Sequence, residues 1–150
     1  MRTIVSFLLM FALACTGCQS AAKRKAKKEA QKKAKAELRQ ENTETDFQAF
    51  VGRLRKAVAA HDVNTLAGMM TADFGYSLNP EMAGEGVFKY WDEQNLWPEL
   101  DGILSEKFVK KGAYMVAPPQ FADESLSYDG YRAGIRRVNG SWKFSYFVNG

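Results

Sequence analysis

The sequence predicts an α+β fold in which N-terminal helices pack on an antiparallel sheet. Apolar residues recur at helical spacing after residue 44, and the pattern becomes extended near residue 107. Two alternating runs near the C-terminus are separated by Asn139-Gly140. Helices followed by consecutive antiparallel strands are typical of this class. A length of 150 residues with 46% hydrophobic residues fits one modest domain.

The first residues have the features of an export signal. Arg2 precedes an uncharged apolar run over residues 4–14, which is shorter than the roughly 20 residues that a membrane-spanning helix needs. The segment Leu13-Ala14-Cys15-Thr16-Gly17-Cys18 resembles the lipobox of a bacterial lipoprotein signal. That resemblance implies cleavage after residue 17 and a thioether-linked lipid on Cys18, with Cys15 as the alternate acceptor. Gln19 stands where aspartate favours inner-membrane retention, so the resemblance implies the outer membrane, with the domain in the periplasm.

A basic arm follows this signal over residues 18–43. Residues 23–41 carry nine cations against three acids, whereas residues 42–150 have a net charge of −3, so the formal charge of +4 comes from the arm. The arm lacks Gly, Pro and β-branched residues between 23 and 41, which predicts a helical spacer about 28 Å long. One hypothesis is that the arm serves only for solubility and separation. The more specific one is contact with anionic lipid or cell wall through the first cations, Lys23, Arg24, Lys25, Lys27 and Lys28. The arm has no interleaved aromatic residues, so we predict no nucleic-acid partner.

The domain over residues 44–150 is predicted to open with two helices. Thr45 and Gln48 form a capping-box pattern, which predicts the start of the first helix. Its apolar face consists of Phe47, Phe50, Val51, Leu54 and Val58. Asp62 is predicted to cap a second, shorter helix, whose apolar positions are Leu66, Met69 and Met70.

Residues 84–104 predict a further helix that is interrupted at Pro98 and followed by a short turn. Residues 107–117 are predicted to be extended, with a bend or bulge at Lys110-Lys111-Gly112 and an end at Pro118-Pro119.

Asn139-Gly140 predicts a two-residue hairpin turn that pairs Val138 with Ser141. Strict alternation then places four further pairs on one face of the hairpin, which is nearly all apolar: Arg137 with Trp142, Ile135 with Phe144, Ala133 with Tyr146, and Tyr131 with Val148. The other face is predicted to be solvated and carries Arg132, Gly134, Arg136, Lys143, Ser145 and Phe147.

Three stretches of this domain resemble the SnoaL-like, nuclear transport factor two-like superfamily, also grouped with cystatin-like folds. They are Leu54-Arg55-Lys56-Ala57-Val58-Ala59-Ala60-His61-Asp62-Val63-Asn64-Thr65-Leu66, Thr71-Ala72-Asp73-Phe74, and Arg137-Val138-Asn139-Gly140-Ser141-Trp142-Lys143-Phe144. The resemblance implies a curved sheet that wraps around the helices as a cone with an internal cavity. The superfamily includes isomerases, dehydratases, transport adaptors and structural modules, so fold alone does not select a function.

The inventory of chemically active residues is small. Two cysteines and one histidine exclude thiolate zinc sites and histidine-clustered metal centres, so we predict no metal and no cofactor. His61 and Asp62 are the only possible histidine–carboxylate pair, and a helix cap explains Asp62 better than general-base chemistry does. The candidate ligand-binding residues are Tyr90, Asp92, Arg132 and Arg136.

These observations predict an envelope-anchored lipoprotein whose α+β domain binds a protein partner or a small ligand without catalysis, and no catalytic residue is assigned. Two alternatives stay open at this stage. One is a cavity enzyme of isomerase or hydrolase type that uses a buried carboxylate. The other makes the basic arm itself the functional part, as a clamp on the cell wall or on anionic lipid.

Overall fold

The computed structural model describes residues 21–75 and 85–150. Within these residues, four helices pack with a four-stranded antiparallel sheet, which confirms the predicted α+β class. The helices are α1 (Ala21–Ala59), α2 (Val63–Met69), α3 (Glu85–Glu93) and α4 (Trp97–Ser105). The strands are β1 (Val109–Lys111), β2 (Tyr114–Ala117), β3 (Arg132–Val138) and β4 (Ser141–Val148). The chain divides into two compact units, Met1–Glu41 and Asn42–Gly150.

In the first unit, residues 21–41 are helical, as predicted from their helix-forming composition. The predicted helix start at Thr45 is wrong, because α1 already begins at Ala21. Good helix formers precede Thr45, so its backbone lies inside the helix and offers no terminal N–H groups to cap. Gln48 instead donates a hydrogen bond through its side-chain amide to Glu44 Oε1, at 2.8 Å.

The core of the second unit begins with the apolar face of α1. All five predicted core residues on this face are buried: Phe47, Phe50, Val51, Leu54 and Val58. Helix α4 contributes Leu100 and Leu104, and the sheet contributes Ile135 and Phe144 to the same cluster. The helical spacing of apolar residues therefore identified the buried face correctly.

Helix α2 begins at its predicted cap. Asp62 Oδ1 accepts a hydrogen bond from the backbone N–H of Thr65 at 3.0 Å, and Asp62 Oδ2 accepts one from the Thr65 hydroxyl at 2.6 Å. The prediction for Pro98 is wrong, because this residue lies in the first turn of α4 and a nine-residue helix replaces the expected turn. Proline is tolerated there, since the first backbone N–H groups of a helix have no intrahelical partner.

The sheet has the order β1-β2-β3-β4. The extended stretch predicted for residues 107–117 forms two paired strands, with Lys111 opposite Tyr114. Gly112 lies between these strands with a φ of +61°, a conformation that favours glycine, so the expected bend is a hairpin turn.

The hairpin of β3 and β4 has the predicted register at its turn but not at its far end. Ile135 pairs with Phe144 as expected, whereas Ala133 pairs with Phe147 instead of Tyr146. The predicted pairing of Tyr131 with Val148 is also wrong, because Val148 lies opposite Arg132. A β-bulge places Ser145 as an extra residue on β4, so each later side chain changes face.

The predicted solvated face of the hairpin, called the outer face below, is therefore only partly solvated. Phe147 turns into the core, and Tyr146 takes its place on the outer face beside Gly134. Residues Pro119–Ala122 form a 3₁₀ turn beside β1 and β2. Its Phe121 ring lies 4.1 Å from Lys111 Nζ and 4.7 Å from the Arg132 guanidinium carbon.

Candidate functional site

Two of the candidate ligand-binding residues, Arg132 and Arg136, lie on the outer face, and both are engaged in internal contacts. Arg136 Nη2 donates hydrogen bonds to both carboxylate oxygens of Asp73, at 2.9 and 2.8 Å. Arg132 donates to the carbonyl oxygen of Gly150 and packs over the Phe121 ring. The structure therefore does not form an open pair of guanidinium groups from these two residues.

Asp73 and Arg136 belong to a polar cluster that we call the edge cluster: Thr71, Asp73, Arg136 and Ser145. It lies where residues 70–75 run along the outer edge of β4, with Met70 in a parallel bridge to Phe144. The backbone N–H of Thr71 donates to the carbonyl oxygen of Phe144 at 2.8 Å and fixes this segment along the strand. The neighbouring Thr71 hydroxyl and the Arg136 guanidinium lower the pKa of Asp73. Asp73 is therefore ionised at neutral pH and forms a salt bridge with Arg136.

Two hydroxyl groups of the edge cluster are buried without a geometrically regular hydrogen bond. Thr71 Oγ1 and Ser145 Oγ, together with Arg136 Nε, have no such partner among the described residues, and neither does Trp142 Nε1 elsewhere on β4. Buried polar groups are normally paired, so these four atoms are exceptions, and three of them belong to the edge cluster. The sequence gives no local signal for them, because the bulge that buries Ser145 has no distinctive residue pattern here.

The outer face also holds two tyrosines with close ring contact. The ring centroids of Tyr114 and Tyr146 are 5.5 Å apart. Burial, with a smaller contribution from Tyr114, raises the pKa of Tyr146 to about 12. The Tyr146 phenol is therefore neutral at physiological pH and lacks the low pKa of an activated acid or nucleophile.

The other two candidate ligand-binding residues, Tyr90 and Asp92, lie on α3. Asp92 Oδ1 accepts a hydrogen bond from Trp97 Nε1 at 2.6 Å, so this carboxylate holds α3 to the start of α4. Tyr90 is exposed. Asp92 also borders a groove between α2 and α3 with a volume of 380 Å³, lined by Val63, Asn64, Ala67, Phe88, Lys89 and Asp92.

His61 and Asp62 do not act as a pair. The His61 ring stacks on Trp97 with a centroid distance of 4.4 Å, whereas the Asp62 carboxylate caps α2. Hydrogen bonds from the Thr65 hydroxyl and backbone lower the pKa of Asp62. The predicted capping role of Asp62 is confirmed, and Trp97 contacts both His61 and Asp92, which the sequence did not indicate.

The remaining candidates lie in the first part of the chain. Lys23, Arg24, Lys25, Lys27 and Lys28 are all exposed on α1. Cys18 and the lipobox lie outside the described residues. Among residues 21–75 and 85–150, each helix is too short or too polar to span a lipid bilayer.

The described residues have few buried polar side chains. Their buried polar side chains are Thr71 and Ser145, and no carboxylate with a described side chain is buried. Across the same residues, no three potential metal ligands come together. Comparisons with protein-family models, with curated proteins and with solved structures gave no match to this chain. Function is therefore inferred from the residues themselves.

Proposed function

We propose that this protein is a lipoprotein of the bacterial cell envelope. A lipid on Cys18 anchors it to the outer membrane, residues 23–41 form a basic helical tether, and the α+β domain binds a protein partner or a small ligand in the periplasm without catalysis.

One observation in particular supports the proposal that the arm is a tether. Every side chain from residue 23 to residue 46 is exposed, although all of these residues are helical. Helices in globular proteins are stabilised mainly by burying an apolar face, and this part of α1 buries none. Its sequence is therefore better explained by a role outside the domain core, and its position after the lipobox supports a tether.

The contacts of the domain support binding rather than catalysis. Groups that general acid–base chemistry would use already have structural partners: Asp62 caps α2, Asp92 holds Trp97, and Asp73 pairs with Arg136. Tyr90 is exposed on α3, whose other residues Phe88 and Asp92 line the groove beside α2. These contacts favour α3 over the engaged Arg132 and Arg136 as the contact region for a partner or ligand.

Metabolic labelling with a clickable fatty acid tests the anchor. The matched variants are Cys18→Ser and Cys15→Ser, because both remove one thiol from the same segment. We expect label in the wild type and in Cys15→Ser, and none in Cys18→Ser. Label that persists in Cys18→Ser would show that this cysteine is not the acceptor. A wild-type protein with intact Met1 and no acyl mass would refute export and anchoring together.

A further inference from the structure

The helical conformation of the arm sorts its charges into two faces. Successive residues of an α-helix are rotated by about 100°. Six cations then fall within an arc of about 100°, which we call the basic face: Arg24, Lys25, Lys28, Lys32, Lys35 and Arg39. The remaining charged residues of the arm lie outside this arc on the mixed face: Lys23, Lys27, Lys33, Glu29, Glu37 and Glu41.

This sorting gives the two faces different net charges. The basic face carries six positive charges and no acid, whereas the three lysines of the mixed face are balanced by its three glutamates. The helix therefore presents one strongly positive line about 23 Å long between Arg24 and Arg39, and an electrically neutral opposite side. A solubilising tether needs no such separation, because solubility depends on total charge and not on its direction.

We propose that the basic face lies against anionic phospholipid headgroups. The proposal rests on the Cys18 anchor proposed above, because chain length alone keeps Arg24 within about 20 Å of that cysteine. A lipid on Cys18 would hold the start of the basic face at headgroup level, where each cation gains from the negative surface potential.

The apolar residues of the arm favour adsorption to the surface over insertion. They are alanines together with Leu38, whose side chain is 60% exposed, so no wide apolar face is available to enter the acyl region. The contact is therefore electrostatic and weakens with salt. The basic face also divides the contact residues predicted from sequence into two groups. Arg24, Lys25 and Lys28 lie on the basic face, whereas Lys23 and Lys27 do not.

Lysine footprinting tests the orientation. The full-length protein is purified from membranes and reconstituted into vesicles of phosphatidylcholine alone or with roughly one-third phosphatidylglycerol, and acetylation rates are read by mass spectrometry. On anionic vesicles at about 0.1 M salt, we expect acetylation of Lys28, Lys32 and Lys35 to slow about fivefold. Lys23, Lys27 and Lys33 serve as internal controls and should change less than twofold. At about 1 M salt the protection should disappear.

Two variants of equal charge provide the matched comparison. One replaces Lys28, Lys32 and Lys35 by Gln, and the other replaces Lys23, Lys27 and Lys33 by Gln, a residue that preserves helix propensity. Lys25 is present in both and reports the contact. We expect its protection on anionic vesicles to survive in the mixed-face variant and to be lost in the basic-face variant.

Several outcomes would overturn the proposal. Equal protection of all six lysines, or equal loss of Lys25 protection in both variants, would show attraction by net charge without a preferred face. Protection on neutral vesicles would refute the electrostatic contact. Protection on isolated cell-wall sacculi but not on anionic vesicles would assign the face to a wall polymer.

The intact mass of the same sample separates this proposal from the anchor. Acylated Cys18 without protection of the basic face would refute the contact between this face and the headgroups, and would leave the anchor standing. Unmodified Cys18 with protection intact would refute the anchor and leave the contact standing.

Discussion

At position 134, a side chain on the neighbouring strand determines which residue type is tolerated, and the residue there is Gly134. The Tyr146 ring occupies the space where a Cβ atom on residue 134 would lie. Such a Cβ atom would clash with Cε1, Cζ and the phenol oxygen of Tyr146. The bulge at Ser145 brings Tyr146 opposite Gly134, so the glycine and the bulge belong to one arrangement. A small residue is required here by packing and not by backbone conformation.

Substituting Gly134 by Ala should therefore lower the free energy of unfolding by about 1–3 kcal/mol, the usual range for overpacking. The matched control is Gly68→Ala on α2, where a new Cβ meets nothing within 4 Å. That change should be neutral or stabilising by up to about 1 kcal/mol, because alanine favours the helix. Urea unfolding of both variants measures the difference. Equal stability of the two would contradict the close approach of Tyr146.

The candidate ligand-binding residues were identifiable from sequence, but their partners were not. Arg136 pairs with Asp73, which is 63 positions away in the chain, and the Trp97 indole donates a hydrogen bond to Asp92 across the break between α3 and α4. Residue type and strand position indicated where a guanidinium would lie. Whether it is available to a ligand depends on contacts that form only in the folded domain.

At the scale of elements, local signals predicted the structure where the determining interaction is local. The Asn139-Gly140 turn and the Asp62 cap depend on neighbours within a few residues, and both are confirmed. The helix start at Thr45 and the break at Pro98 were wrong because one pattern fits two contexts. A capping box can lie inside a longer helix, and proline can begin a helix as well as end one.

The cap of α2 predicts a defined dependence of stability on pH. The pKa of Asp62 in the folded protein lies below the usual value of an aspartate, chiefly because the Thr65 hydroxyl donates a hydrogen bond to the ionised carboxylate. A lowered folded pKa stabilises the native state above the unfolded pKa, and this contribution is lost as pH falls through the folded value. Asp62→Asn keeps an oxygen acceptor but does not titrate.

We therefore expect the free energy of unfolding of the wild type to exceed that of Asp62→Asn by a constant amount at higher pH. This excess should be lost as pH falls below about 4. Chemical unfolding of both proteins across this range measures it. A difference that does not change with pH would show that the carboxylate is not held in its ionised form by the cap.

On the scale of the whole molecule, α1 is exposed in its first part and buries an apolar face in its second. Its exposed stretch over residues 23–46 includes the nine cations of the arm, and the first buried side chain is Phe47. From there the helix contributes to the hydrophobic core, and Arg137 adds a surface link by donating to Asp46 at 3.1 Å. One continuous helix thus combines a segment adapted to water and charge with a segment adapted to packing.

This division predicts that two identical substitutions on α1 have different effects. Leu54 is fully buried at 0% exposure, so Leu54→Ala should lower the free energy of unfolding by about 2–5 kcal/mol through lost apolar burial and a residual cavity. Leu38 is 60% exposed, so Leu38→Ala should change stability by less than about 0.5 kcal/mol. Denaturant unfolding monitored by tryptophan fluorescence measures both. A large, concentration-dependent loss in Leu38→Ala would mean instead that the arm packs against a second helix through the small apolar residues that recur at every fourth position: Ala22, Ala26, Ala30, Ala34 and Leu38. Only such an association gives an exposed leucine a buried environment to lose.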